Sequence, residues 1–388
     1  MDRLIDLCNI QYGYAFDSSN FTDDESFLPL VRIRDVKRGF SETYYSGEYP
    51  EEYVIHAGAL LIGMDGEFNI ARWKSKSALL NQRVCRIIAK ENSDEEYLRF
   101  ALVKELKEVE QKTAFVTVKH LSAKELNKMT LNVPPYEEQK RISEILVRIE
   151  NLITNYKEEL NQFDILIKSR FVEMFGDMFQ NTKGWSESRL ELMADLVSGI
   201  TKGRKVKDTE LQEVPYMAVS NVKDGYIDWT TVKTIMATKQ EIEQYRLLPD
   251  DVLMTEGGDP DKVGRGAIIK EPLENSIHQN HIFRVRLNRK QLLPIFFEEY
   301  LQHQKAKRYF LGCAKQTTGI ASINMTQLRA LPVLVPPLEL QQHFSAFVHQ
   351  VDKLKVANIL KVDIDIICGL LGKPEQFKIV EAIGCMVA

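Results

Sequence analysis

The longest patterned stretch of the chain runs from Glu137 to Met174 without a proline or glycine. Its apolar residues recur every seven positions in three rows. One row is Ile142, Ile149, Tyr156 and Phe163; a second is Leu146, Ile153, Leu160 and Ile167; a third is Ile145, Leu152 and Leu166, interrupted by Glu159. Such a sustained heptad pattern predicts one long amphipathic helix. Pro134-Pro135 supply its start signal and Gly176 its stop. At the rise of an α-helix it spans roughly 55 Å. Two arrangements satisfy its apolar face. It lies along its own domain, or it pairs with a second helix after Pro337, antiparallel, as a spacer between two heads. Much of the remaining chain is broken into short strand-like runs. In one of these, Leu28 to Phe40, Arg32 and Arg34 would share a strand face and Lys37-Arg38-Gly39 would make the turn.

The pattern occurs twice. LNVPPYEEQKRISEILVRIENLI from Leu131 and VLVPPLELQQHFSAFVHQVDKLK from Val333 align without a gap at an offset of 202 residues. Pro134-Pro135 match Pro336-Pro337, Gln139 matches Gln341, and Glu150 matches Asp352. Further upstream the offset is 186, pairing Gly13 with Gly199 and LPLVRIRDVKRGF with VPYMAVSNVKDGY. Between these, GALLIGMDG from Gly58 aligns with DVLMTEGGD from Asp251, and NQRVCRI from Asn81 with QNHIFRV from Gln279. The chain is a tandem duplication of about 190 residues, each copy β-rich first and helical afterwards. That period is far too long for a solenoid, so each copy reads as a domain with its own helix.

Composition narrows the function classes. The net charge is −4 and the pI about 6.1, which disfavours a protein that binds nucleic acid unaided by charge alone. The cysteines Cys8, Cys85, Cys313, Cys368 and Cys385 are scattered and odd in number, with no pair at C-x-x-C spacing. That suits a reducing cytoplasm. No secretory leader or membrane span is expected. Val133-Pro134-Pro135-Tyr136 lacks the Asn or Asp that a methyltransferase motif places before Pro-Pro, and reads as a helix start. No phosphate-binding Gly-rich loop is present in the sequence. His278 and His281 have no completing ligand set and read as packing or edge histidines.

PPYEEQKRISEIL, the heptad helix and KSRFVEMFGD, followed by VPPLELQQHF in the second copy, resemble the conserved regions of type I restriction-modification specificity subunits. The resemblance covers nearly the whole chain. It implies an α+β, pseudo-twofold tandem repeat: target-recognition domain 1 over 1–133, a helical spacer over 134–176, target-recognition domain 2 over 177–335, and a second helical region over 336–388. The spacers form an antiparallel coiled coil in the family. The implied role is non-catalytic: recognition of a bipartite double-stranded DNA target while carrying two methyltransferase subunits and restriction subunits. S-adenosylmethionine, ATP and magnesium belong to those partners, none to this chain. The assembled complex carries adenine methylation and ATP-dependent nuclease activity. A non-DNA scaffold with two β-rich protein-binding heads is the competing reading. The second copy departs from the pattern after Lys355, where Gly369, Gly372 and Pro374 replace the counterpart of KSRFVEM. The second helix is therefore expected to be shortened or replaced.

A DNA reader needs cations for phosphates and polar groups for base edges. Arg32, Arg34, Lys37 and Arg38 cluster in the first copy, and Lys202, Arg204, Lys205 and Lys207 in the second. Lys112 in the first copy and Lys315, Gln316 and Thr317 in the second lie in polar loops, and Arg265 ends a Gly-rich one. Asn221 and Lys223 stand opposite Asp35 and Lys37 in the repeat. Each cluster reads equally as a solvated face or a connector.

Overall fold

In the computed structural model, residues 1–112, 120–205, 210–317 and 319–370 are described. The chain divides into two compact units, Met1–Tyr156 with Leu360–Ala388, and Lys157–Ile359.

Each unit is built on a four-stranded antiparallel sheet. In the first, Cys8–Tyr12, Val84–Ala89, Leu60–Gly63 and Ile70–Arg72 lie side by side in that order. In the second, Ala194–Ser198, Ile282–Leu287, Val252–Thr255 and Gly266–Ile268 repeat the order strand for strand. The matched Gly13 and Gly199 follow the first strand of each sheet. A β-carbon on either would come within 2.0 Å of a backbone oxygen, that of Asn81 or His278. Only glycine permits so close a crossing of two backbones, which explains its place in both copies. A helix covers the sheet in each unit: Glu95–Lys112 in the first, and the pair Pro294–Gln302 and Gln304–Cys313 in the second.

The run Leu28 to Phe40 differs from the expected strand and turn. It is a strand only over Leu28–Val31, and Ile33–Arg38 is helical. The buried Asp35 carboxylate accepts from the Arg32 N–H at 3.0 Å, and Gly39 closes the helix at φ 79°. These two local groups override the alternating apolar pattern.

The heptad segment is one helix, Tyr136–Phe175, of 40 residues. Its two ends satisfy their apolar faces differently. In the first unit Leu146 is buried with Phe100 of the helix Glu95–Lys112, and Ile142 packs beside them. Arg99 adds a two-pronged bond to Glu150 at 3.0 and 2.7 Å. Ile149 is buried, while Ile145, Leu152, Ile153 and Tyr156 are half-buried. In the second unit Ile167, Phe171 and Phe175 enter the main core and Phe163 packs against it. There the helix meets the second long helix, Leu338–Leu370, in antiparallel order: Phe171 against Phe344, Asp164 against Lys355, Glu159 against Asn358. Leu160 is half-buried. Leu166, assigned by its row to the seam, is 46% exposed instead. It lies beside the exposed Ile165, on the side of the helix turned away from Ile167.

The second long helix, expected to be shortened or replaced after Lys355, is helical past that point. Its 33 residues continue to Leu370. No proline occurs between Leu338 and Leu370, and Gly369 lies within the described helix. Residues 371–388, including Gly372 and Pro374, lie outside the described residues.

Candidate nucleic-acid interface

Strand direction gathers the candidate loops. In the second unit, Ala194–Ser198 and Val252–Thr255 end where Ile282–Leu287 and Gly266–Ile268 begin. The loops following or preceding these strands therefore share one end of the sheet. They contain Lys202 and Lys205, both exposed, then Glu256 to Arg265, and Gln279 to His281. The Ile200 N–H donates to the His278 carbonyl at 2.8 Å, and the Asn280 N–H donates to the Ile200 carbonyl at 3.0 Å. These bonds fix the root of the basic loop beside the histidine turn.

The hairpin Lys315–Thr317 and Ile320–Ser322 joins the same end. Its second strand pairs with Gly257 and Gly258. Two loops singled out separately in the sequence thus form one three-stranded patch. Lys315 is exposed on it. Gln316 and Thr317 lie in its outer strand, though their side chains are outside what is described, as is Lys207. Arg265 is half-buried, with its Nε enclosed and without a hydrogen-bond partner among the described residues.

Two of the named residues do not face outward. Asn221 is fully buried. Its Oδ1 accepts from the Ala218 N–H at 2.9 Å and its Nδ2 donates to the Asp228 carbonyl at 2.9 Å. It closes a turn as Asp35 does at the matching position, so its side chain is engaged within the fold rather than presented at the surface. Arg204 is likewise engaged: its Nε donates to Glu241 at 2.5 Å, and a second bond runs to the other oxygen. That pairing raises the Arg204 pKa and lowers that of Glu241. Lys223 is partly covered, 3.9 Å from Asp228.

The first unit has the same loop end. Asp65 and Glu67 follow Leu60–Gly63, and Arg83 precedes Val84–Ala89. Arg83 Nε lies 3.4 Å from Asp65, and its NH1 lies 3.2 Å from His120 Nδ1, which also bonds Asp65. Lys37 reaches this end, 3.8 Å from Glu67, and is 73% exposed. Arg34 is 62% exposed. Arg38 is drawn back by Glu42 at 2.9 Å and lies 4.3 Å over the Phe40 ring. Arg32 is half-buried, its NH1 3.5 Å from Thr43. Lys112 is the last residue of its helix; its side chain is not among those described.

Asp65, Arg83 and His120 do not stand out in the sequence, whereas the Gly-rich loop from Glu256 does, and His281 reads there as a packing or edge histidine. In the structure His281 is 56% exposed by side chain and its Nδ1 lies 2.6 Å from Glu256. The repeat register contained the signal: Arg83 aligns with His281, and the Asp65 and Glu256 loops align with each other. Both copies set a carboxylate beside a nitrogen-bearing side chain at one place on the loop end. Among the described residues no group of His, Cys, Asp and Glu has a metal-binding arrangement, and no helix is long and apolar enough to cross a membrane.

Comparison with known proteins places this architecture. The model of the type I restriction modification DNA specificity domain matches residues 1–162 and again 182–362. The type I restriction enzyme EcoBI specificity subunit of Escherichia coli is 30% identical over 370 residues, covering 87% of this chain and 75% of that one. The EcoKI specificity subunit, also of Escherichia coli, is 21% identical over 253 residues, covering 61% and 54%. In fold, the chain resembles the crystal structure of the type I restriction-modification S subunit from M. genitalium, with a TM-score of 0.56 at 13% identity, over 95% of this chain and 92% of that one. With its two copies of the domain, the chain belongs to the family of type I restriction-modification DNA specificity subunits.

Proposed function

We propose that the chain reads a two-part DNA target, one half with the loop end of each unit, and that it carries the methyltransferase and restriction subunits that act there. The observation that supports this most is the duplicated loop end. In both units the same strands lead into a rim with exposed lysine or arginine for phosphates and a carboxylate-paired nitrogen group for base edges. In this reading Arg34, Lys37 and Arg83 serve the first half-site. Lys202, Lys205, Lys315 and His281 serve the second.

The chain itself performs no bond-making step. S-adenosylmethionine, ATP and magnesium act on the partner subunits. The net charge of −4 fits weak, salt-sensitive binding alone and specific binding once methyltransferase subunits add phosphate contacts. A scaffold that binds only proteins would have no use for two matched basic rims.

Exchange of residues 1–133 for those of a specificity subunit with another target tests the reading. Methylome sequencing of cells with each version should show one half of the methylated site changed and the other kept. A change in both halves, or no methylation dependent on this chain, would refute it.

A further inference from the structure

Within the second unit the second long helix, the helix Pro294–Gln302 and the loop around Asp224 enclose a cavity of about 780 Å³. It is not part of the loop end described above. Its size lies in the range of small-ligand sites. Among the described residues six carboxylates line it against three lysines. Some of these charges are already paired: Lys355 bonds Asp164 at 2.7 Å and Lys270 bonds Asp352 at 2.8 Å. Among the described residues Glu298 accepts only a backbone bond, from the Ile268 N–H at 2.7 Å.

Glu299 is different. It is 8% exposed, lines the cavity, and its Oε1 has no hydrogen-bond partner among the described residues. A buried carboxylate oxygen without a donor is costly and calls for one. The wall also includes the indole of Trp229 and the ring of Tyr226. Aromatic faces favour an organic ammonium over a hydrated metal ion. Among the described lining residues carboxylates outnumber lysines by three, and with Asp224 also 3.7 Å from Lys307 the remaining excess suits a ligand with more than one amine.

We propose that this cavity is a binding site for a small aliphatic polyamine, with Glu299 accepting one ammonium group, Glu298 a neighbouring one, and Trp229 covering the alkyl chain. The proposal is independent of which DNA the protein reads.

The site should bind in a proton-linked manner. Burial pushes Glu298 and Glu299 up to about 7. Lys168 and Lys307 oppose this at Glu299, and Asp164 and Asp224 reinforce it. At Glu298, Lys270 opposes it and Glu299 and Asp352 reinforce it. An arriving ammonium favours the ionised carboxylates, so binding expels protons and strengthens as pH rises through 7.

Calorimetric titration of the full DNA-free chain with spermidine tests this. Saturable binding at one site is expected, about tenfold tighter near pH 8 than near pH 6. Glu299→Gln should weaken it about tenfold and flatten the pH dependence. Trp229→Ala, at a partly exposed position, should weaken it about threefold with the fold unchanged by circular dichroism. Failure of the wild type to saturate, or equal affinity in the folded Glu299→Gln protein, overturns the proposal, because the attraction is then diffuse.

Discussion

Gln139 and Gln341 illustrate how one side chain can anchor an element. Gln341 is fully buried. Its Oε1 accepts from the Leu293 N–H at 2.9 Å, at the start of the helix Pro294–Gln302. Its Nε2 donates to the carbonyls of Pro336 and Gln291 at 2.9 and 3.1 Å. Gln139 does the same with the Asp94 N–H and the carbonyls of Pro134 and Asn92. The Pro-Pro-x-x-x-Gln pattern was legible as a repeated signature, but its work was not, because the partners lie on a separate helix start. Gln341→Ala leaves one donor and two acceptors without partners and should lower the free energy of unfolding by about 2–3 kcal/mol in a denaturant titration. Gln341→Glu should be no better, since a carboxylate cannot donate to the two carbonyls.

Glu299 gives a residue-scale prediction of opposite sign. Its folded pKa, about 7, lies above the usual carboxylate value. The folded chain therefore holds a proton that the unfolded chain releases first, and stability falls as pH rises from about 4.5 through about 7. Glu299→Gln removes this penalty. Thermal unfolding should show the variant more stable than wild type near pH 8, by about 3 kcal/mol, and equal to it near pH 4. Buried His278 acts at the other end of the scale: burial lowers its pKa to about 3, so its contribution is lost as pH falls below about 6.5.

At the scale of elements, the heptad rows announced the long helix but not what would cover it. Periodicity reports an apolar face and is silent on its partner. Both expected arrangements occur, Leu146 against Phe100 in one unit and Phe171 against Phe344 in the other. The helix at Ile33–Arg38 was missed because the apolar residues Leu28, Leu30 and Ile33 read as strand, whereas Asp35 and Gly39 decide the local conformation. The antiparallel pair in the second unit depends on Phe344, fully buried against the rings of Phe171 and Phe175. Phe344→Ala opens a cavity among these rings and should cost about 3–5 kcal/mol in equilibrium unfolding, with loss concentrated in the second unit.

At the scale of the molecule, the duplication was legible from one sequence because insertions fall between strands and leave the registers within blocks intact. The loop end was not legible. Lys202, His281 and Lys315 are far apart along the chain, and only the order and direction of the strands gather them. A basic run does not show which of its members are already engaged: Arg204 in the densest one is tied to Glu241, while its neighbours Lys202 and Lys205 are exposed. Under the proposed function, exposed cations rather than ion-paired ones are those expected to release counterions from DNA. Each lost phosphate contact should lower the slope of log affinity against log salt by about 0.9. Lys202→Ala with Lys205→Ala should therefore weaken binding of the assembled methyltransferase complex at every sequence alike and reduce that slope by about 2. Arg204→Ala should leave the slope unchanged and instead lower the melting temperature. Titrations of duplex at several salt concentrations distinguish the two, and a slope that falls only with Arg204→Ala would reverse the assignment of which cations face the DNA.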